Sequence, residues 1–394
     1  MLHYLNRSLE SILYTNQHGF RKNLSCNTQL ITVVQDLAAA VDEGSEVHAA
    51  VLDFSKAFDL VPHDILVNKL IQYNINPTLI KWIANFLTGR TQKVVLQGQT
   101  SCSMPVTSGV PQSSVLGPTL FLLFINDVVN TVNHSKIRLF ADDTLIYKVV
   151  NTNYDCMQLQ IDLDHLFRWS TENQMKFNAR KSNIITFTSK RNTLTFNYHL
   201  NGEKLAESNC IKYLGIHIQH NLKWDTHITF IINKASRMLG LLKHTLYNAP
   251  VKVKKQAYYT LCRPILEYGS DVWDPYQKDK IHALEVFQNK AIRFIYNIKG
   301  RDESMTKIKE NNSIDTLEKR RWQSRVATLH CILRNESLHP SLYSVLSEML
   351  SNNLSVSTRS NSFNPFFCNT NVYMHSYIPR TTRELRRGKP SAEE

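Results

Sequence analysis

Leu52-Asp53-Phe54-Ser55-Lys56-Ala57-Phe58-Asp59 and, nearly ninety positions later, Phe140-Ala141-Asp142-Asp143 decide how this chain is read. Ala49-Ala50-Val51-Leu52 leads into the first segment and Ile137-Arg138-Leu139-Phe140 into the second. Both approaches are apolar runs of strand character that end in carboxylates. Two such strands side by side would bring Asp53 and Asp142 together. Clustered carboxylates are costly to ionise unless a cation lies between them. Their hard oxygens suit Mg²⁺, and Mg²⁺ suits phosphate chemistry. Successive strand side chains point to opposite faces, which ranks Asp142 above Asp143 as the partner of Asp53. Asp59 reads as a helix-start charge.

Around these segments the pattern is mixed helix and strand. A helix is expected over 28–42 and a strand over Glu46–Phe54. Pro62 and Pro77 each open a helix, the second stopped by Gly89. Short strands follow at Lys93–Leu96 and Met104–Thr107, then an apolar helix over Pro118–Val129. Lys136–Tyr147 reads as strand, turn and strand with the acidic pair near the turn. Residues 153–172 form an amphipathic helix, with short strands at Asn183–Thr188 and Ile211–Ile218. Most of 225–335 is helical and basic, and the Ser- and Asn-rich stretch 350–366 is a linker. The layout is α+β: a short antiparallel sheet with helices, then an all-helical C-terminal region. The organisation expected is 1–45, 46–220, 221–345 and a partly disordered basic tail over 346–394.

The chain has 394 residues and a formal net charge of +13, which favours a polyanionic partner. A membrane partner is disfavoured. The longest apolar stretch, Val115 to Val129, is interrupted by Gly117 and Pro118 and is shorter than the ~18 residues a span needs. The N-terminus carries Arg7 and Glu10 and lacks the apolar core of a signal peptide. Seven scattered cysteines without a Cys-x-x-Cys pair argue against zinc and for a reducing compartment. The chain reads as intracellular, in nucleus or cytoplasm, neither secreted nor transmembrane.

Six segments in order resemble the reverse transcriptase of a non-LTR retrotransposon of the LINE type, near the jockey group. Gln17-His18-Gly19-Phe20-Arg21 resembles the opening of the retained fingers and palm, and Asp53 to Asp59 resembles motif A. Ser108-Gly109-Val110-Pro111-Gln112-Ser113-Ser114-Val115-Leu116-Gly117-Pro118 resembles motif B, and Phe140 to Asp143 motif C. Asn178 with Lys181 resembles motif D, and Tyr213-Leu214-Gly215-Ile216 the primer grip of motif E. Arg263 to Gly269 and Trp273-Asp274-Pro275 look like the thumb side of the same elements.

The resemblance implies a polymerase palm that uses two Mg²⁺ ions, or Mn²⁺, to join a deoxynucleoside triphosphate to a primer 3′ end on RNA. Asp53, Asp142 and Asp143 would be the metal ligands, with the backbone carbonyl of Phe54. Phe58 would lie under the incoming sugar, and Gln112 would touch the nucleotide. Lys181 would protonate or neutralise the leaving pyrophosphate, and Arg21 would meet a template or nucleotide phosphate. Tyr213, Leu214 and Gly215 would hold the primer. The basic C-terminal half, with Lys234, Arg237, Lys243, Lys252, Lys254, Lys255, Arg263, Lys290 and Arg293, would bind an RNA–DNA duplex through its phosphates.

Two departures from the family pattern set up a competing reading. Ser113 stands where the family usually has Gly, which allows close backbone approach and positive φ. Only sixteen residues precede Gln17, so the chain is expected to be N-terminally truncated. The alternative is therefore a catalytically inactive, nucleic-acid-binding remnant. An RNA-dependent RNA polymerase is a third reading, suited by the six-residue spacing of Asp53 and Asp59 and by Ser108-Gly109 with Asn126. Phe58 and Pro111-Gln112 argue against it. Oligomeric state is not legible.

Overall fold

The computed structural model describes residues 12–298, 300, 303–334, 342–343 and 367–387. The chain divides into two compact units: residues 1–29 with 45–211, and residues 30–44 with 212–394. Residues 350–366, read as a linker, lie outside the described residues. Among the described residues no helix is long and apolar enough to cross a membrane.

The first unit is built on a five-stranded sheet. In chain order its strands are β1 (Glu46–Leu52), β2 (Lys136–Phe140), β3 (Asp143–Val150), β4 (Asn183–Phe187) and β5 (Ala206–Glu207). Their spatial order is β5-β4-β1-β3-β2. The antiparallel expectation holds for β4-β1-β3-β2, while β5 joins β4 in parallel. Strand β1 lies at the centre and is buried at every position but one. That is why Ala49–Leu52 is a continuous apolar run rather than an alternation, and why the buried Glu46 and His48 pair with each other at 2.7 Å.

Helix α1 is Cys26–Asp42, α2 is Ala57–Leu60, α3 is His63–Gln72 and α4 is Pro77–Leu87. Asn76 caps α4, its side chain accepting from Thr78 N–H at 2.9 Å. Helix α5, Gly117–Ile125, is buried from Leu120 to Ile125, so it is apolar all round. It ends in a 3₁₀ turn at Asn126–Thr131, earlier than the expected helix end at Val129. Lys69 satisfies that end: its buried ammonium donates to Phe124 O at 2.8 Å and to Asp127 at 2.7 Å. Helix α6 spans Asn153–Glu172 as its periodicity predicts, started by a capping box between Thr152 and Asp155. The expected strands after α4 form two short ladders, Thr91–Gln92 with Met104–Pro105 and Val95–Leu96 with Gln99–Thr100, exposed along their length.

Among the described residues, the second unit is helical apart from the hairpin of Cys210–Tyr213 and Ile216–Gln219, which enters it at Lys212. Its longer helices are α7 (Asp225–Thr245), α8 (Lys278–Ile295), α9 (Leu317–Arg334) and α10 (Tyr377–Arg387). Part of the expected basic tail is therefore helix. Arg380 in α10 is buried and reaches Asp274, 3.3 Å from its carboxylate and 2.7 Å from its backbone oxygen. Arg321 and Arg325 of α9 meet the same carboxylate at 2.6 and 3.0 Å. Burial alone would raise the Asp274 pKa; the Arg380, Arg321 and Arg325 guanidiniums outweigh it and hold the carboxyl below its ordinary range.

His227 of α7 is buried, accepts from His217 N–H at 3.3 Å and lies edge-on to Trp273. Burial, with His217 nearby, pushes its pKa down to about 3. The unfolded chain therefore takes the proton first as pH falls. This contribution to stability is complete above the ordinary histidine value of about 6.5 and is lost progressively toward pH 3. Denaturation between pH 7.5 and 4.5 is expected to show stability falling with pH. His227→Phe should remove up to about 1.4 kcal/mol per pH unit of that slope; identical slopes would exclude His227 as a source.

Candidate active site

The site begins with a two-residue turn. Strands β2 and β3 pair with Phe140 opposite Asp143, so Ala141 and Asp142 form the loop of the hairpin. Ala141 has φ +54°, a conformation that hairpin turns usually give to glycine. Asp142 lies in the turn and Asp143 is the first residue of β3. Pairing of β1 with β3 ends at Leu52 opposite Thr144, which puts Asp53 beside Asp143. The turn removes the strand alternation on which the ranking of the two aspartates rested.

All three carboxyls share one field. Burial, then the charge of Asp53, pushes the Asp142 pKa up. Burial, then Asp142 and Asp53, pushes Asp143 up to about 6. Among the described residues, no group of three or more His, Cys, Asp or Glu side chains is placed to hold a metal ion. The donor set is nevertheless all hard oxygen, and its mutual repulsion is what a divalent cation would relieve.

The turn is braced by a segment whose importance sequence pattern alone does not signal. Gln17 Oε1 accepts from both Ala141 N–H and Gly19 N–H at 2.8 Å, and Gln17 Nε2 donates to Ala141 O at 3.3 Å. His18 N–H donates to Leu139 O at 3.0 Å, and Leu139 N–H to Asn16 O at 3.2 Å. Gly19 lies so close that a Cβ there would come within 2.3 Å of Ala141 N. Arg21 turns inward, donating to Tyr14 O at 2.8 Å and Gln17 O at 3.3 Å. These bonds support the segment. Asn126, weighed above as a polymerase signature, accepts from Tyr14 N–H at 2.7 Å and donates to Ile12 O at 2.9 Å.

Asp53 is held by the motif D segment. Asn178 N–H donates to Asp53 O at 2.7 Å, and Ser55 N–H to Lys176 O at 2.8 Å. Phe54 stacks on Phe177 with centroids 4.1 Å apart and meets Trp169 edge-on. Its side chain is core, which leaves only its backbone for a ligand role. The Lys181 ammonium lies 3.7 Å from the Asp53 carboxylate, with both side chains partly exposed. Such a pair adds little stability, so the lysine is free to exchange partners.

Motif B is fastened to motif A through Asp59, a first-turn residue of α2. Gln112 Nε2 donates to the Asp59 carboxylate at 2.7 Å, and Ser108 Oγ to Asp59 O at 2.9 Å. Gly109 has φ +87°, and a Cβ there would lie 2.7 Å from Asp59 O. Phe58, one residue before Asp59, is half-buried and stacks on Phe121 at 4.4 Å. Ser113 is exposed with φ +59°, so the position does adopt the backbone that glycine favours.

In the second unit, Leu214 and Gly215 form the tip of the 210–219 hairpin with φ +45° and +84°. Tyr268 Oη donates to Leu214 O at 2.9 Å. Tyr213 is buried, so its side chain belongs to the core and only the hairpin tip is presented. The basic residues separate into two groups. Lys234, Arg237, Lys243, Lys252 and Lys290 are exposed. Lys254, expected to face phosphate, is instead buried and donates to Asn297 at 2.7 Å. Lys255 donates to Asn312 O at 3.4 Å, and Arg263 packs over Tyr259 at 4.2 Å beside Glu267. Arg293 is tied to Gly300 O.

Residues 1–218 match the family described as "Reverse transcriptase (RNA-dependent DNA polymerase)". The chain is 30% identical over 291 residues to the RNA-directed DNA polymerase from mobile element jockey of Drosophila melanogaster, covering 71% of this chain and 31% of that protein. It is 27% identical over 347 residues to the probable RNA-directed DNA polymerase from transposon BS of the same organism, covering 83% and 38%. A third relative there, the probable RNA-directed DNA polymerase from transposon X-element, is 28% identical over 296 residues, covering 73% and 32%. The chain thus spans about a third of the length of the curated relatives it matches.

Two substitutions test the framework. Gln17→Ala strands the Ala141 and Gly19 N–H groups and should cost at least about 2 kcal/mol, read as a lower urea midpoint at unchanged m-value. Ser113→Gly relieves a left-handed serine and should raise stability by about 0.5–1 kcal/mol, net of glycine's larger unfolded-state entropy.

Proposed function

The chain belongs to the reverse transcriptase (RNA-dependent DNA polymerase) family, and we propose that it extends a primer 3′ end on an RNA template with deoxynucleoside triphosphates. The observation that carries this reading is the crowding of Asp53, Asp142 and Asp143 at one end of the sheet, with the latter two held above their ordinary pKa. The names of the jockey, BS and X-element relatives support the same chemistry.

Asp53, Asp142 and Asp143, with the backbone carbonyl of Phe54, are the hard oxygen donors that would hold two Mg²⁺ ions, or Mn²⁺. When bound, the metal supplies activation of the attacking oxygen and neutralises charge on the phosphates. The protein's own groups position the substrates. Phe58, rigid on Phe121, forms the floor under the sugar and excludes a 2′-hydroxyl. Gln112 faces the nucleotide from a loop that Asp59 anchors. Lys181 exchanges Asp53 for the leaving pyrophosphate, giving it charge or a proton. The hairpin tip at Leu214-Gly215 steadies the primer. The exposed Lys234, Arg237, Lys243, Lys252 and Lys290 hold duplex phosphates without reading sequence.

The left-handed Ser113 favours one competing reading, a nucleic-acid-binding remnant that binds RNA or RNA–DNA duplex without extending it. A primer-extension assay on poly(A) RNA with oligo(dT) separates the two. Extension should require Mg²⁺ and fall at least about 1,000-fold in Asp142→Ala, the loss of several kcal/mol of charge stabilisation. Extension that survives Asp142→Ala overturns the assignment. Preference for ribonucleotides refutes its DNA-polymerase form. Salt-sensitive binding without extension, with activity appearing in Ser113→Gly, supports the remnant.

A further inference from the structure

Phe20 combines two features that are unfavourable for phenylalanine. It is 59% exposed, and its backbone lies in the left-handed region at φ +53°. A bulky residue keeps such a conformation where its surroundings over-determine it, and strain of this kind concentrates at functional sites. The surroundings here are the catalytic turn. Gln17 brackets Ala141 with hydrogen bonds to its N–H and C=O, and Gly19 packs directly on the Ala141 backbone. The segment that carries Phe20 is therefore fastened to the same backbone that carries Asp142.

From that position Phe20 meets Phe58 edge-to-face, with centroids 6.0 Å apart and planes at 78°. Phe58 also stacks on Phe121 at 4.4 Å and 17°, and Phe121 is fully buried. The Phe58 ring is thus held from two directions, by the core beneath it and by an exposed aromatic beside it. The core contact is part of folding. The Phe20 contact buries little and is maintained against backbone strain.

We propose that Phe20 is a positioning residue that fixes the Phe58 ring and thereby sets discrimination between deoxyribo- and ribonucleoside triphosphates. The inference rests on the reading of Phe58 as the floor of the sugar pocket. A wall excludes one hydroxyl group only if it does not yield, and selective sites need their walls held to within about 0.5 Å. With Phe121 alone behind it, the Phe58 ring keeps its stack but is free to tilt toward the space that Phe20 fills.

The test is equilibrium binding of dATP and ATP to the full chain with Mg²⁺ and a dideoxy-terminated primer on RNA with uridine as the next template base. Phe20→Ala should shift the affinity ratio toward ATP by about 10-fold, the scale of one lost aromatic pair. Phe20→Tyr should restore the original ratio. Phe58→Ala should relax the ratio by itself, and Phe20→Ala should then add nothing. An unchanged ratio in Phe20→Ala overturns the inference. So does an additive effect in the double variant, because the ring would then act directly rather than through Phe58. Failure of the unsubstituted chain to bind either nucleotide overturns the sugar-pocket reading and this inference with it. Binding with an unaltered ratio overturns this inference alone.

Discussion

Three carboxylates held at one end of a sheet repel one another, and the first unit is organised around keeping them there. Antiparallel pairing of β1 with β3 brings Asp53 alongside Asp143, and the tight hairpin between β2 and β3 leaves Asp142 no other place. Burial deepens the repulsion and lifts the pKa values of Asp142 and Asp143. Backbone geometry carries the resulting strain, with Ala141 at positive φ between a buried strand end and the side chain of Gln17.

The surrounding segments reach this centre through backbone atoms more than through side chains. Asn178 bonds to the carbonyl of Asp53, Gln17 to the amide and carbonyl of Ala141, and Ser108 to the carbonyl of Asp59. Lys181 and Gln112 are exposed and Phe58 is half-buried. The second unit follows another principle. Asp274 is fully enclosed and neutralised by arginines drawn from α9 and α10, so its rigidity comes from a buried ion cluster. Breaking one partner in such a cluster costs more than the cluster contributes, because a lone buried charge remains.

Much of this was legible in the chain. The apolar run before Asp53 marks β1 because a central strand is buried on both faces. The span of α6 follows from its apolar spacing and the Thr152 cap, and the strand-turn-strand at Lys136–Tyr147 from its pattern. Other features were hidden because their partners are remote in sequence. Lys254 reads as a surface cation, yet its stem is covered and its ammonium satisfied by Asn297. The bonds from the Arg21 guanidinium to Tyr14 O and Gln17 O have no signature in the sequence. Arg380 sits in a stretch that looks like a solvated tail, and only its meeting with Asp274, 106 residues earlier, makes it part of a core.

The sequence by itself determined which residue types are present, their order, and the local strands, helices and turns that carry them. Local propensity and periodicity act over a few residues, and the family pattern is written in short contiguous segments. Tertiary structure alone decided that Asp53 comes beside Asp143, and that Gln17 closes on Ala141. It alone decided that Phe20 stands against Phe58 and that an aspartate and three arginines share one buried site. These outcomes depend on contacts between distant segments. Their free energies come from desolvation and close packing, which no single segment contains.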